Sequence, residues 1–209
     1  MPTGLRSFLL QYAHYILIRD SMIERTLVLV KPDGVYRALI GKVTAAFEDA
    51  GLKVVGIKML KPERSVIDKH YVADEAYLKS IGAKTISSYK KRGVDIKESE
   101  LEIGKRIRGY LFDYVAGKPV VAMVIEGNEA VANVKKIAGA TSPTDADRSS
   151  IRGRYASDSY DLADSKKRAI KNMLHVSGDK ADAAREVKLW FKESELVEYK
   201  RVDESLLYD

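Results

Sequence analysis

The order of its apolar runs constrains this chain more than any other feature. Thr26–Val30 (TLVLV), Leu52–Leu60 (LKVVGIKML), Pro119–Ile125 (PVVAMVI) and Ala169–His175 each read as a strand. The first is apolar on both faces, as a central strand would be. Between the strands the period changes. Leu39, Ile40, Val43, Ala46 and Phe47 recur at helical spacing, so Val35–Ala50 is expected as an amphipathic helix closed by Gly51, after a turn at Pro32-Asp33-Gly34. Ser65 can cap a short helix to about Tyr71, Asn128 one over Glu129–Ile137, and Asp179 one over Lys180–Trp190, while Ile103–Ala116 forms another. Asp74–Glu102 is charged and weakly patterned, helical in parts. Gly139–Arg168 is a long polar stretch with little periodicity, and a loop that long in a compact domain is usually functional or disordered. The order βαβ, αβ, αβ suits an α+β fold of the ferredoxin-like split βαβ kind. That is a sandwich with a four-stranded antiparallel sheet covered on one face by helices.

Composition narrows the classes. At 209 residues with 45% hydrophobic and 32% charged side chains, the chain can bury a real core as one domain. There are no cysteines, which excludes disulfides and thiol catalysis and fits a reducing, cytoplasmic setting. With only His14, His70 and His175, a multi-histidine metal site is not expected. No apolar run reaches the ~18 residues a membrane span needs. Phe8–Ile18 is apolar, but no small-x-small cleavage site follows, so residues 1–21 read as an extension or an upstream start rather than an export signal. The domain then runs over 22–209. The formal charge of +6 is uneven: Tyr77–Tyr110 carries nine Lys/Arg against four Asp/Glu, which could focus a nucleotide or nucleic acid, or simply be a solvated helical face.

Two motifs carry chemistry. Lys31-Pro32-Asp33-Gly34 ends one apolar run, and Asn172–Asp179 (NMLHVSGD) places His175 at the end of another. There is no GxxxxGK[ST], so a P-loop is not the phosphate cradle. A histidine can accept a phosphoryl group when its second ring nitrogen is held in a fixed tautomer, and Glu186, on the following helix, could accept that N–H. Lys31, Lys135 and Arg152 could balance charge on the transferring oxygens, since positioning and electrostatics are most of what phosphoryl transfer requires. Singly, each residue has an ordinary structural explanation: strand-end histidines and Lys-Pro-Asp-Gly turns are common.

Taken in order, these pieces resemble the nucleoside diphosphate kinase family. The matching blocks are ERTLVLVKPDGVYR (Glu24–Arg37), FEDAGLKVVGIKM, His70-Tyr71, PVVAMVIEG (Pro119–Gly127), AGATSP (Ala138–Pro143), Ile151-Arg152-Gly153, NMLHVS and LWFKESELVEY (Leu189–Tyr199). They cover roughly Glu24–Asp209, apart from insertions near 77–103 and 157–167. The resemblance implies a ping-pong enzyme in which an NTP phosphorylates His175 and a second NDP takes the phosphoryl group, with Mg2+ carried on the nucleotide phosphates. It implies that Glu186 orients the histidine and that Ser177 stands beside it. Lys31 and Asn172 hold the sugar, Lys31 also meets the transferring phosphate, and Tyr71, Thr141 and Arg152 are phosphate-side contacts. It further implies a closed homo-oligomer, a hexamer or tetramer.

Several positions depart from the family pattern. Gly178 falls where the family has an aspartate, leaving Asp179 as a substitute acting on magnesium through water. Lys135 stands for a phosphate-binding arginine, keeping the charge and losing the bidentate fork. Arg148-Ser149-Ser150 replaces a Pro-Gly-Thr. The first insertion displaces the aromatic base contact, and counting back from Pro119 puts Ile107 there. Two rival readings are a catalytically silent scaffold and a nucleic-acid-binding side activity of the basic insertion.

Overall fold

The computed structural model describes residues 22–208, so the reading of residues 1–21 lies outside the described residues. In chain order the elements are β1 (Ile23–Val30), α1 (Pro32–Tyr36), α2 (Ile40–Asp49), β2 (Lys53–Leu60), α3 (Arg64–His70), α4 (Glu75–Lys91), α5 (Glu100–Val115), β3 (Val120–Asn128), α6 (Ala130–Ala138), α7 (Ile151–Tyr155), α8 (Tyr160–Ser165), β4 (Leu174–Val176), α9 (Lys180–Trp190) and α10 (Glu204–Tyr208). The strands form one antiparallel sheet in the order β2-β3-β1-β4, the ferredoxin-like α+β arrangement the sequence order suggests. Among the described residues no helix is long and apolar enough to cross a membrane.

Helices cover both faces of the sheet rather than one. Strand side chains alternate between faces. In β1, Val28 and Val30 join a core with Val43 and Phe47 of α2 and Val134 of α6. Leu27 and Leu29 join a second core with Ile67 of α3, Val115 of α5 and Trp190 of α9. A run of five wholly apolar or small buried residues at Thr26–Val30 follows from that double burial.

Local chemistry moved several boundaries. The Lys-Pro-Asp-Gly turn is the start of α1, with Pro32 at the first helical position, where its missing N–H costs nothing. The single helix expected over Val35–Ala50 is broken at Ala38, whose φ of 55° is left-handed, and resumes as α2. Helix α3 begins at Arg64, with Glu63 rather than Ser65 at its cap position. Asn128 stays in β3. The chain enters α6 through Glu129 at φ 45°, and Glu24 of β1 accepts the first-turn N–H of Val131 at 3.1 Å. Helix α5 starts earlier than periodicity suggests, because Ser99 and Glu102 form a reciprocal capping box. Strand β4 is shorter than expected, starting at Leu174 because Met173 is left-handed at φ 65°. The polar stretch after Gly139 is partly helical, holding α7 and α8. Asp179 caps α9 as expected, accepting from Asp182 N at 2.8 Å.

Helices α4 and α5 pack as a close hairpin. A Cβ on Gly82 would lie 1.8 Å from the Glu100 carbonyl oxygen, and one on Gly104 would lie 2.0 Å from that of Leu78. The two backbones therefore cross where neither carries a side chain.

Candidate active site

Antiparallel pairing of β1 with β4 brings the two motifs together. Leu29 faces His175 in register, so Lys31, just past the end of β1, sits beside the residues that lead into β4. Lys31 N donates to Met173 O at 2.7 Å, and Lys31 Nζ donates to Asn172 Oδ1 at 2.8 Å. Asn172 Nδ2 in turn donates to Thr141 O at 2.7 Å. Asp33 braces this corner: its carboxylate accepts from Met173 N at 3.1 Å and from the Tyr114 hydroxyl of α5. The Tyr114 ring also lies 5.4 Å from the Lys31 ammonium, in cation–π range.

The histidine is held from behind by α9. His175 Nε2 lies 2.8 Å from Glu186 Oε2, which also accepts from Ser177 Oγ at 2.8 Å. Ser177 Oγ itself accepts from Leu27 N at 3.3 Å, tying the carboxylate through a hydroxyl to the central strand. Burial pushes the Glu186 carboxyl up, but His175, His70 and the Ser177 hydroxyl more than offset it and hold its pKa at about 2. An ionised carboxylate only accepts, so Nε2 carries the proton, and in the neutral imidazole the lone pair then lies on Nδ1. Among the described residues Nδ1 has no hydrogen-bond partner.

His70, which sequence reasoning quoted but gave no role, packs edge-on to His175 with ring centroids 4.3 Å apart. It is 1% exposed, and Trp190 Nε1 donates to its Nδ1 at 3.2 Å. Burial first, then the neighbouring His175, lowers its pKa well below the usual imidazole range, so it stays neutral beside the nucleophile candidate.

These groups open onto one cavity of about 1240 Å³, ample for a nucleoside triphosphate. Its lining includes Lys31, Tyr71, Lys135, Thr141, Arg152, Asn172, His175, Ser177, Asp179 and Glu186, so all but one of the sequence-predicted residues meet there. Ile107 is the exception: it lies on α5 outside the lining, and Leu111, one turn further on, faces the cavity instead. The count back from Pro119 fixes the helix but not which of its faces is turned inward. Sequence reasoning also missed Tyr77, Ile81 and Lys84 of α4, whose spacing of four and three was a legible signal.

Arg152 is buried on α7, whose first turn is capped by Ser150, the residue standing in the changed Arg-Ser-Ser segment; its Oγ accepts from Gly153 N at 3.2 Å. The guanidinium donates to Gly139 O at 2.5 Å and Leu174 O at 3.0 Å, while its buried Nε has no partner among the described residues. The buried Tyr71 hydroxyl, on a residue lining the same cavity, likewise has no partner among the described residues. Gly139 is left-handed at φ 84°, and a Cβ there would lie 2.2 Å from Ser150 Oγ, so glycine is required for this approach. Burial, then the Arg152 charge, lowers Lys31 to about 7 despite Asp33. Two buried cations that lack a full complement of acidic partners suit a polyanion. Lys135 Nζ donates to Gly178 O at 2.8 Å, holding the entrance to α9 near the cavity.

Known proteins share the sequence pattern and the fold. A family model for nucleoside diphosphate kinase matches residues 24–88 and 101–196. The nucleoside diphosphate kinase of Pyrobaculum aerophilum is 39% identical over 181 residues, covering 84% of this chain and 99% of that protein. The crystal structure of an NDP kinase from Pyrobaculum aerophilum superposes with a TM-score of 0.80 at 38% identity, covering 84% of this chain and 100% of that one. A transition-state mimic of the Borrelia burgdorferi nucleoside-diphosphate kinase, with bound vanadate and ADP, gives 0.74 at 35% identity over 90% of this chain and 99% of that one. With the family model spanning most of its length and relatives this similar over nearly their full length, the chain belongs to the nucleoside diphosphate kinase family.

Proposed function

We propose that this protein is a nucleoside diphosphate kinase working by double displacement through His175. The observation that carries the reading is the 2.8 Å contact of His175 Nε2 with a buried, ionised Glu186. It fixes the tautomer and leaves Nδ1 as the nucleophile. The Nδ1 lone pair attacks the γ-phosphorus of an NTP, an N–P bond forms, and the bond to the bridging oxygen breaks with its electron pair passing to the departing NDP. A second NDP attacks the phosphohistidine with its terminal oxygen and restores the free imidazole. Glu186 stabilises the positive charge that develops on the ring, and Ser177 fixes Glu186.

Lys31 and Asn172 hold the sugar, and Lys31 also meets the transferring phosphate. Tyr71, Lys135, Thr141 and Arg152 hold the phosphates, with the unpartnered Tyr71 hydroxyl and Arg152 Nε as donors in waiting. Magnesium, carried by the nucleotide, would neutralise phosphate charge. The lining fits that arrangement, because the one cluster of three metal-capable groups among the described residues is His70, His175 and Glu186, where His175 is paired with Glu186 and His70 accepts from Trp190. Asp179 uses one oxygen to cap α9, and its other oxygen can meet the ion through water. A silent scaffold would have no need of the His175–Glu186–Ser177 chain.

A closed homo-oligomer, hexamer or tetramer, belongs to the same reading. It is supported by Ile57 and Met59, which are 54% and 61% exposed on the edge strand β2. A cytoplasmic setting goes with it. Nucleic-acid binding stays a side activity with less support, because Arg92, Arg106 and Arg108 of the basic segment are engaged in ion pairs. Steady-state rates with ATP varied at several fixed concentrations of a second nucleoside diphosphate test the mechanism. Parallel double-reciprocal lines are expected, and intersecting lines would reject the double displacement.

A further inference from the structure

Helix α4 turns one face toward the active-site cavity: Tyr77, Ser80, Ile81 and Lys84 all line it, at helical spacing. Lys84 differs from the other lysine nearby on the same helix. Lys79 is paired with Glu75 at 2.7 Å, whereas Lys84 has no hydrogen bond or ion pair among the described residues. Its ammonium is an uncommitted positive charge on the wall of a cavity already built around buried cations.

The helix is held firmly enough for that placement to matter. Asp74 caps its start, and the paired glycines Gly82 and Gly104 bring it into backbone contact with α5. Its far end is fastened to α8: Arg92 Nη2 meets Asp164 Oδ2 at 3.0 Å, Arg92 also pairs with Asp161, and the Tyr89 hydroxyl donates to Asp164 Oδ1 at 2.9 Å. With the helix fixed, a ligand contact costs the rotamer freedom of the lysine stem but no ordering of the backbone beneath it.

Position along the helix says which part of a nucleotide Lys84 would meet. Tyr77 lies at the histidine end, in the first turn of a helix that begins four residues after Tyr71, whose ring centroid is 6.4 Å from that of His175. Lys84 follows about two turns, or roughly 10 Å, further along the axis. That separation removes it from the transferred phosphoryl group. We propose that Lys84 is a nucleotide-positioning residue whose ammonium contacts the phosphates that stay with the nucleoside, in the substrate triphosphate and the product diphosphate alike. The proposal rests on the phosphotransfer reading above. A contact made equally before and after transfer acts on KM rather than kcat.

The test is calorimetric titration of ADP into the wild type, Lys84→Ala and Lys84→Arg at low and high salt, with steady-state kinetics alongside. Loss of a charge-assisted contact predicts about tenfold weaker ADP binding in Lys84→Ala. It also predicts a shallower salt dependence, KM raised for ATP and ADP together, and recovery to near wild type in Lys84→Arg. All three proteins should melt alike without ADP. ADP binding by Lys84→Ala equal to the wild type, or Lys84→Arg as weak as Lys84→Ala, overturns the assignment while leaving the enzyme reading standing. A wild type that binds no ADP overturns both.

Discussion

Nucleotide binding should draw a proton onto Lys31. In the free protein the ammonium is buried beside Arg152, and its pKa is lowered to about 7. At pH 8 such a group is only about one tenth protonated. A polyphosphate within contact distance favours the charged form, and an opposite charge at ~4–6 Å raises a pKa by about 1–3 units. With the bound value at about 9–10, Lys31 becomes almost fully charged, so binding should take up about 0.9 proton per chain at pH 8. Each restored unit is worth about 1.4 kcal/mol of coupling between proton and nucleotide, so affinity should fall as pH rises above 7. Titrating ADP calorimetrically in two buffers of different ionisation enthalpy reads the proton number directly. The uptake should vanish in Lys31→Met. Tight ADP binding with no proton uptake at pH 8 would refute the reasoning, because the ammonium would then have been charged all along. The free protein carries the matching signature. The unfolded chain keeps this proton to about 10.5, the folded one releases it near 7, and stability therefore rises with pH between those values.

Two other perturbations follow from the same geometry. Glu186 is held at about 2 against an ordinary 4.5, so its contribution is complete above about 4.5 and disappears as pH falls through 2. In urea melts the stability advantage of the wild type over Glu186→Gln should shrink by about 3 kcal/mol between pH 5 and pH 2, and an advantage that stays constant would contradict the assignment. Gly82→Ala places a methyl against the Glu100 carbonyl at 1.8 Å and should cost about 2–3 kcal/mol by prising α4 from α5, measured by thermal melting. An alanine accepted without loss would mean the two helices are not in backbone contact.

How legible the molecule was in its sequence depended on what holds each part. Strands β1 and β3 are buried on both sides and appeared as continuous apolar runs, and the cap on α9 appeared in Asp179. The candidate site residues Lys31, Asn172, His175, Ser177 and Glu186 lie at strand ends or on the next helix, where local order predicts spatial order, and they line one cavity. The α4–α5 hairpin was obscure for a physical reason: its close contact is made by glycine backbone at Gly82 and Gly104, which leaves a weaker hydrophobic stripe to detect. The breaks at Ala38, Glu129 and Met173 are left-handed non-glycine residues, the last two tied by long-range hydrogen bonds to Met22, Lys31 and Asp33, and no turn signature announces them. Ile107 stays outside the cavity lining because counting along a helix does not fix its rotation, which the crossing with α4 sets.

The central claim is that His175 carries the phosphoryl group between nucleotides. The most direct measurement is incubation of the purified protein with γ-labelled ATP and magnesium and no acceptor, beside His175→Ala. The account predicts acid-labile, base-stable label on the wild type alone, discharged by added GDP or CDP. Wild-type protein that binds ADP yet stays unlabelled, or equal label on His175→Ala, would contradict it.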